Sequence, residues 1–248
     1  MTGVRLALSW LTVLPVRGPA DVDRAAARQA IRLAPIVGVV LGSGAAGLLW
    51  LLTWAGAATP LAGLLVVGAL ALITRAMHLD GLADTMDGLG SYGPPEQARA
   101  IMKRGGAGPF GVAALVFAIG IQAFSFAAAA DSGRWCAVAV AVATGRVVVV
   151  LACRRIDAAP GTGFGVLVAG TQSTLAAASW SAVLIVLAVW AAPDRPWLGP
   201  LAVLFALATG MVLVGHCARR FGGLSGDVLG AALETSVTVT GTVLSLAV

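Results

Sequence analysis

Long apolar runs alternate with short polar stretches along this chain, and most of the runs are long enough to cross a bilayer as helices. Residues 1–16 are apolar but broken by Arg5 and Pro15; too short to span, they suit an interfacial or re-entrant position. Residues 17–33 carry Arg17, Asp21, Asp23, Arg24, Arg28 and Arg32, which predicts an amphipathic approach to the membrane. Spans are then predicted over residues 34–55, 61–77, 109–130, 135–153, 174–192 and 198–217. A seventh, over residues 231–248, holds Glu234 and many β-branched residues. In the first span Gly38, Gly42, Gly44 and Gly47 offer close helix packing. The pattern predicts an all-α, polytopic bundle of six to seven transmembrane helices, forming one membrane domain over residues 1–248.

Composition agrees with the pattern. Hydrophobic residues make up 59% of the chain, against the roughly 45–50% usual in soluble domains. The net charge of +5 gains meaning once the basic residues are placed on the spans. With the N-terminus inside, the inner segments hold Arg5, Arg17, Arg24, Arg28, Arg32, Arg75, Arg99, Lys103, Arg104, Arg154, Arg155, Arg219 and Arg220. The outer turns hold only Arg134 and Arg195, and Arg146 lies within a span. Such a bias predicts a cytoplasmic N-terminus and cytoplasmic polar loops, and removes the reason to invoke nucleic acid. Cys136, Cys153 and Cys217 sit in or beside apolar runs without CxxC spacing and read as small core residues. The N-terminus lacks a signal-peptide cleavage site and is expected to be retained.

Chemistry concentrates in the polar stretches. Directly after the second span comes His78-Leu-Asp80-Gly-Leu-Ala-Asp84-Thr-Met-Asp87-Gly88. On a helix, Asp84 falls about 40° from Asp80, and Asp87 about 20° from it on the other side. Three carboxylates on one face repel one another unless a cation lies among them, and a hard divalent ion such as Mg²⁺ takes oxygen ligands. Asp80, Asp84 and Asp87 are therefore candidate metal ligands, with Gly81 and Gly88 leaving room for a neighbouring helix or a ligand. His78 is a candidate proton carrier or phosphate partner. The second stretch, Lys103-Arg104-Gly105-Gly106, precedes a span and suits phosphate held by cations and backbone N–H groups. The third, residues 219–230, places Asp227 in a glycine-rich turn, where it is a candidate metal ligand or proton acceptor; Asp84 is the other carboxylate suited to catalysis. Glu234 is expected to face the same cavity as Asp227, and Arg146 to reach a carboxylate or an anionic ligand.

These stretches, with Ile101-Met-Lys103, Gly108-Pro-Phe-Gly111, Gly222-Gly-Leu-Ser-Gly-Asp227-Val-Leu-Gly-Ala231 and the N-terminal Trp10-Leu-Thr-Val-Leu-Pro15, occur in an order that resembles the cobalamin synthase family, the adenosylcobinamide-GDP ribazoletransferases. The resemblance covers essentially the whole chain. It departs after Lys103, where the family commonly has Asp and this chain has Arg104, so no carboxylate role is carried to that position. The resemblance implies a Mg²⁺-dependent enzyme of the bacterial inner membrane. Its implied substrates are adenosylcobinamide-GDP and α-ribazole or α-ribazole 5′-phosphate; a ribose hydroxyl attacks and GMP leaves. The lipid bilayer is the implied partner, and there is room for a homo-oligomer.

Three rival readings compete. CDP-alcohol phosphotransferases also use aspartates at a membrane helix end, but their pattern places Ala-Arg after the first Asp-Gly, where this chain has Leu82-Ala83. A prenyltransferase with an aspartate-rich Mg²⁺ site is a weaker rival. A cation transporter would use intramembrane acids as ion ligands, yet the chain has no second copy of its acidic motif.

Overall fold

The computed structural model describes residues 2–18 and 21–246. The chain forms α1 (Thr2–Leu11), α2 (Arg24–Trp54), α3 (Thr59–Ile73), α4 (Met77–Leu89), α5 (Pro95–Met102), α6 (Pro109–Asp131), α7 (Trp135–Ala152), α8 (Gly163–Val168), α9 (Thr174–Leu187), α10 (Leu198–Phe221) and α11 (Gly226–Ser245). A short 3₁₀ turn, Ala188–Ala191, extends α9. Among the described residues six helices (α2, α6, α7, α9 with its 3₁₀ extension, α10 and α11) are long and apolar enough to cross a membrane. With α3 and α4 taken as one broken span there are seven. The molecule is an all-α polytopic membrane bundle.

At its centre stands α7, fourteen of whose eighteen residues are buried. Its Val- and Ala-rich sequence lets α2, α10 and α11 pack closely around it. A Cβ at Gly42 would stand 2.8 Å from the Ala139 backbone, so α2 and α7 touch almost main chain to main chain, while Gly44 and Gly47 face open space. Large apolar side chains such as Val40, Phe117, Phe124, Val186 and Val212 are exposed, as lipid-facing positions should be.

Several predicted elements change shape. The amphipathic approach and the first span are one helix, α2, which is capped by Asp23, whose side chain accepts from the Ala26 N–H, and carries Pro35 inside it at the loss of one backbone bond. The second span is shorter than predicted. It stops at Ile73, and α4 leaves at 93° to it. Residues 1–16 hold α1, whose Leu6 and Ala7 are buried, mainly against α2. The polar loops contain α5 and α8. The last helix starts earlier than predicted, at Gly226, and residues 247–248 lie outside the described residues. Cys153 and Cys217 are buried as expected, but Cys136 is exposed, because the start of α7 turns that position outward.

Hydrogen bonds tie the polar segments together at one end of the bundle. Arg99 Nη1 donates to Phe221 O at 2.7 Å, Arg220 Nη2 to Ser91 O at 2.9 Å and Gly93 O at 2.8 Å, and Lys103 Nζ to Gly161 O at 3.1 Å. Arg24 reaches Val166 O and Ala169 O, and Arg75 reaches Ser9 O at 2.7 Å. Several basic residues counted above as a topological signal therefore also hold loops by their carbonyl oxygens. At the opposite end, Arg134 and Asp194 pair at 2.6 Å and join the turn between α6 and α7 to the one before α10.

Candidate active site

The site begins at the break between α3 and α4. Arg75 and Ala76 both adopt left-handed backbone conformations, φ +57° and +52°, uncommon for residues other than glycine. The turn is closed by Ala76 N donating to Ala71 O at 2.7 Å, and by the Thr74 hydroxyl donating to Leu70 O at 2.8 Å. These bonds end α3 and send the acidic motif across the end of the bundle, packed on α11 and α6.

Two glycines then set how near the carboxylates come. A Cβ at Gly81 would lie 2.8 Å from Asp227 O and 2.9 Å from Asp227 Cα. One at Gly230 would lie 3.0 Å from His78 O. Only glycine at both positions lets α4 cross the first turn of α11 this closely. Asp84 consequently feels the charges of Asp80, Asp227 and Asp87, and Asp227 those of Asp80 and Lys103. Asp227 follows Ser225, the N-cap of α11, whose hydroxyl accepts from the Val228 N–H and donates to Asp227 Oδ2, both at 3.3 Å. The helix N-terminus there favours negative charge.

The three motif aspartates diverge in their surroundings. Asp80 is exposed and Asp84 half-buried, and no hydrogen bond holds either side chain among the described residues. Asp87 reaches across to α6: its Oδ2 accepts from Gly108 N at 2.6 Å and its Oδ1 from Gly111 N at 2.9 Å. It supplies the cap that Gly108, having no side chain, cannot.

Lys103, at the C-terminal end of α5, lines a small cleft with Arg99, Thr162, Ser225 and Asp227. Arg104, Gly105 and Gly106 lie in an exposed turn; both glycines have positive φ, and no protein atom approaches where their side chains would be. Leu224 bridges to Ala158, which clamps the loop before α8 against the start of α11.

Behind Asp80 and Asp227 lies a cavity of about 260 Å³ that His78, Arg146 and Phe164 also line. His78 Nδ1 and Arg146 Nε are buried without a hydrogen-bond partner among the described residues. Arg146 Nη1 donates to Val142 O at 3.2 Å. Arg146 also feels the charge of Glu234 without closing an ion pair with it. Glu234 does not share the Asp227 cavity. It accepts from Gln122 Nε2 at 2.8 Å and lines a separate, smaller one that Arg146 also borders, because one residue beyond Leu233 the helix turns it about 100° away from the larger cavity. Ser225, Arg99, Thr162 and Phe164 were not anticipated. Only Ser225 had a local signal, a serine opening an apolar helix.

The donor set suits a hard cation. Among the described residues no three His, Cys, Asp or Glu side chains converge into a preformed metal cage. Asp80, Asp84 and Asp227 are nonetheless oxygen donors with no ion-pair partner among the described residues. Mg²⁺ is usually bound by one or two carboxylates together with substrate phosphates, and these residues fit that mode.

Fold and site together define a polytopic membrane protein with an oxygen-donor cluster at one end of its bundle. Residues 3–245 match the cobalamin-5-phosphate synthase family, and the chain belongs to it. It is 40% identical over 240 residues to the adenosylcobinamide-GDP ribazoletransferase of a Nocardioides species, covering 95% of each chain. It is 38% identical over 253 residues to that of Corynebacterium efficiens, covering 99% of this chain and 92% of the relative. A third relative of that name, from Frankia casuarinae, is 37% identical over 267 residues, covering 100% of this chain and 96% of its own. No solved structure matches the chain.

Proposed function

We propose that this chain joins adenosylcobinamide-GDP to α-ribazole or its 5′-phosphate, releasing GMP, at the cytoplasmic face of the bacterial inner membrane. The observation that carries the reading is the crossing at Gly81 and Gly230, which sets Asp80 and Asp84 beside Asp227. A ribose hydroxyl of the acceptor loses its proton to Asp227, whose carboxylate Ser225 orients. The hydroxyl oxygen forms a bond to the phosphorus attached to the cobinamide arm. The bond from that phosphorus to the bridging oxygen breaks, and GMP departs with the electron pair. Asp80 and Asp84 are the residues proposed to hold Mg²⁺, which when bound neutralises pyrophosphate oxygens. Lys103, with Arg104 and the Gly105–Gly106 backbone, faces the leaving phosphate. Asp87 holds the start of α6 in place rather than serving as a ligand. His78 lies behind the carboxylates in the cavity wall and is assigned no proton-transfer step.

The cytoplasmic orientation rests on the clustering of basic residues at the end of the bundle that carries the site. The test is incubation of the purified, membrane-reconstituted chain with adenosylcobinamide-GDP, α-ribazole and Mg²⁺. Stoichiometric nucleotide-loop product and GMP are expected. Absence of both, from protein that is folded, overturns the proposal.

A further inference from the structure

The proposed reaction needs two binding regions, one for the corrinoid that carries GDP and one for the acceptor nucleoside. We propose that the cavity behind Asp80 and Asp227 seats the acceptor, with its aromatic base inserted into the bundle and its ribose facing the carboxylates. This rests on the proposed function.

Size is the first argument. At about 260 Å³ the cavity lies just below the roughly 300–1,000 Å³ typical of small-molecule pockets, which suits a nucleoside of about twenty non-hydrogen atoms. A corrinoid carrying a second nucleoside and GDP is several times larger. Shape is the second. Along α11 the lining runs from Asp227 to Leu233, roughly 9 Å of helix, so the cavity leads from the carboxylates into the bundle. Chemistry is the third. Ile31, Ala34, Val149, Leu229, Leu233 and Phe164 give apolar walls. Such walls suit a flat azole base and offer little to guanine, whose several polar edge groups would go unpaired.

Two polar atoms in residues of the wall, Arg146 Nε and His78 Nδ1, lack partners among the described residues. The base of α-ribazole has one unsubstituted ring nitrogen, a hydrogen-bond acceptor. A guanidinium N–H of Arg146, which lines the cavity, donates to it in this pose. Gly38 makes room for that arginine: a Cβ there would stand 3.1 Å from Arg146 Cβ and 3.2 Å from Arg146 Cδ. Phe164 closes the cavity beside Asp227 and is held edge-on against Trp10, ring centroids 5.1 Å apart.

The test is equilibrium dialysis of α-ribazole alone, without Mg²⁺ or corrinoid, against the full chain in lipid nanodiscs, with steady-state kinetics alongside. Ala34→Leu fills the cavity. It should weaken α-ribazole binding at least about tenfold and raise its KM, with the KM for adenosylcobinamide-GDP unchanged. Phe164→Ala, at a partly exposed position, should keep the donor KM and accept a ribonucleoside with a larger base. An indole ribonucleoside, which lacks the ring nitrogen, should bind the wild-type chain about tenfold more weakly than α-ribazole. A rise in the donor KM alone, or no change in either KM, overturns the proposal. If Ala34→Leu does not fold, Phe164→Ala decides by the same criteria. A wild-type chain that binds α-ribazole and forms no product would overturn the proposed function while leaving this assignment standing.

Discussion

Asp87 should separate from Asp80 and Asp84 when each is replaced, although the three lie on one helix face. Asp87→Ala removes two backbone bonds to a charged acceptor, from Gly108 N and Gly111 N, at the first turn of α6. Bonds to charged groups contribute about 1.5–3 kcal/mol each, and a carboxylate at a helix N-terminus adds about 0.3–1 kcal/mol. Asp87 is partly exposed, so the low end of the range applies. Relief of repulsion with Asp84 offsets a further fraction. The expected loss is about 3 kcal/mol for Asp87→Ala and about half that for Asp87→Asn, which keeps one acceptor oxygen. Asp80→Asn breaks no hydrogen bond among the described residues and lessens repulsion with Asp84, so its stability should match or exceed wild type. Its rate should fall by at least about two orders of magnitude, roughly 3 kcal/mol of transition-state stabilisation. The native cysteines supply the assay. Buried Cys153 and Cys217 become reactive to a fluorogenic maleimide as the chain unfolds on heating, while exposed Cys136 gives the baseline. Asp87→Ala should unfold at clearly lower temperature than wild type, and Asp80→Asn should not. Equal unfolding temperatures for the two variants would refute the capping role and make the three carboxylates equivalent.

Gly81→Ala places a methyl group against the Asp227 backbone and must push α4 away; activity should drop at least about tenfold with Mg²⁺ saturating, measured as GMP release. At Ala76, φ +52° makes Gly the tolerated replacement, while Val should lower stability by about 1–3 kcal/mol in the same thermal assay. Lys103→Ala should raise the KM for adenosylcobinamide-GDP and leave that for α-ribazole unchanged, because Lys103 faces the cleft beside Asp227 and does not line the deeper cavity. Chelation of divalent ions should abolish turnover, and added Mg²⁺ should restore it in wild type but not in Asp84→Asn.

The apolar runs and their breaks carry the helical bundle and its six or seven crossings, because bilayer thickness imposes span length on any sequence, whatever its tertiary contacts. The clustering of carboxylates in residues 80–87 was legible for the same kind of reason, since helical periodicity alone places them on one face. Tertiary structure decided what each of them touches. Nothing local marks Arg75 and Ala76 as left-handed, because neither is a glycine. The conformation persists through the bonds that close the turn, and with it the 93° bend. Asp87 became a cap because α6 begins within its reach, and Glu234 left the Asp227 cavity because α11 rotates it towards Gln122. The acidic site was likewise completed across helices. Gly81 was legible as room for a neighbouring helix, but that the neighbour is α11, met again at the distant Gly230, appears only where α4 and α11 cross, since a glycine's lack of a side chain matters only against the backbone that fills its place.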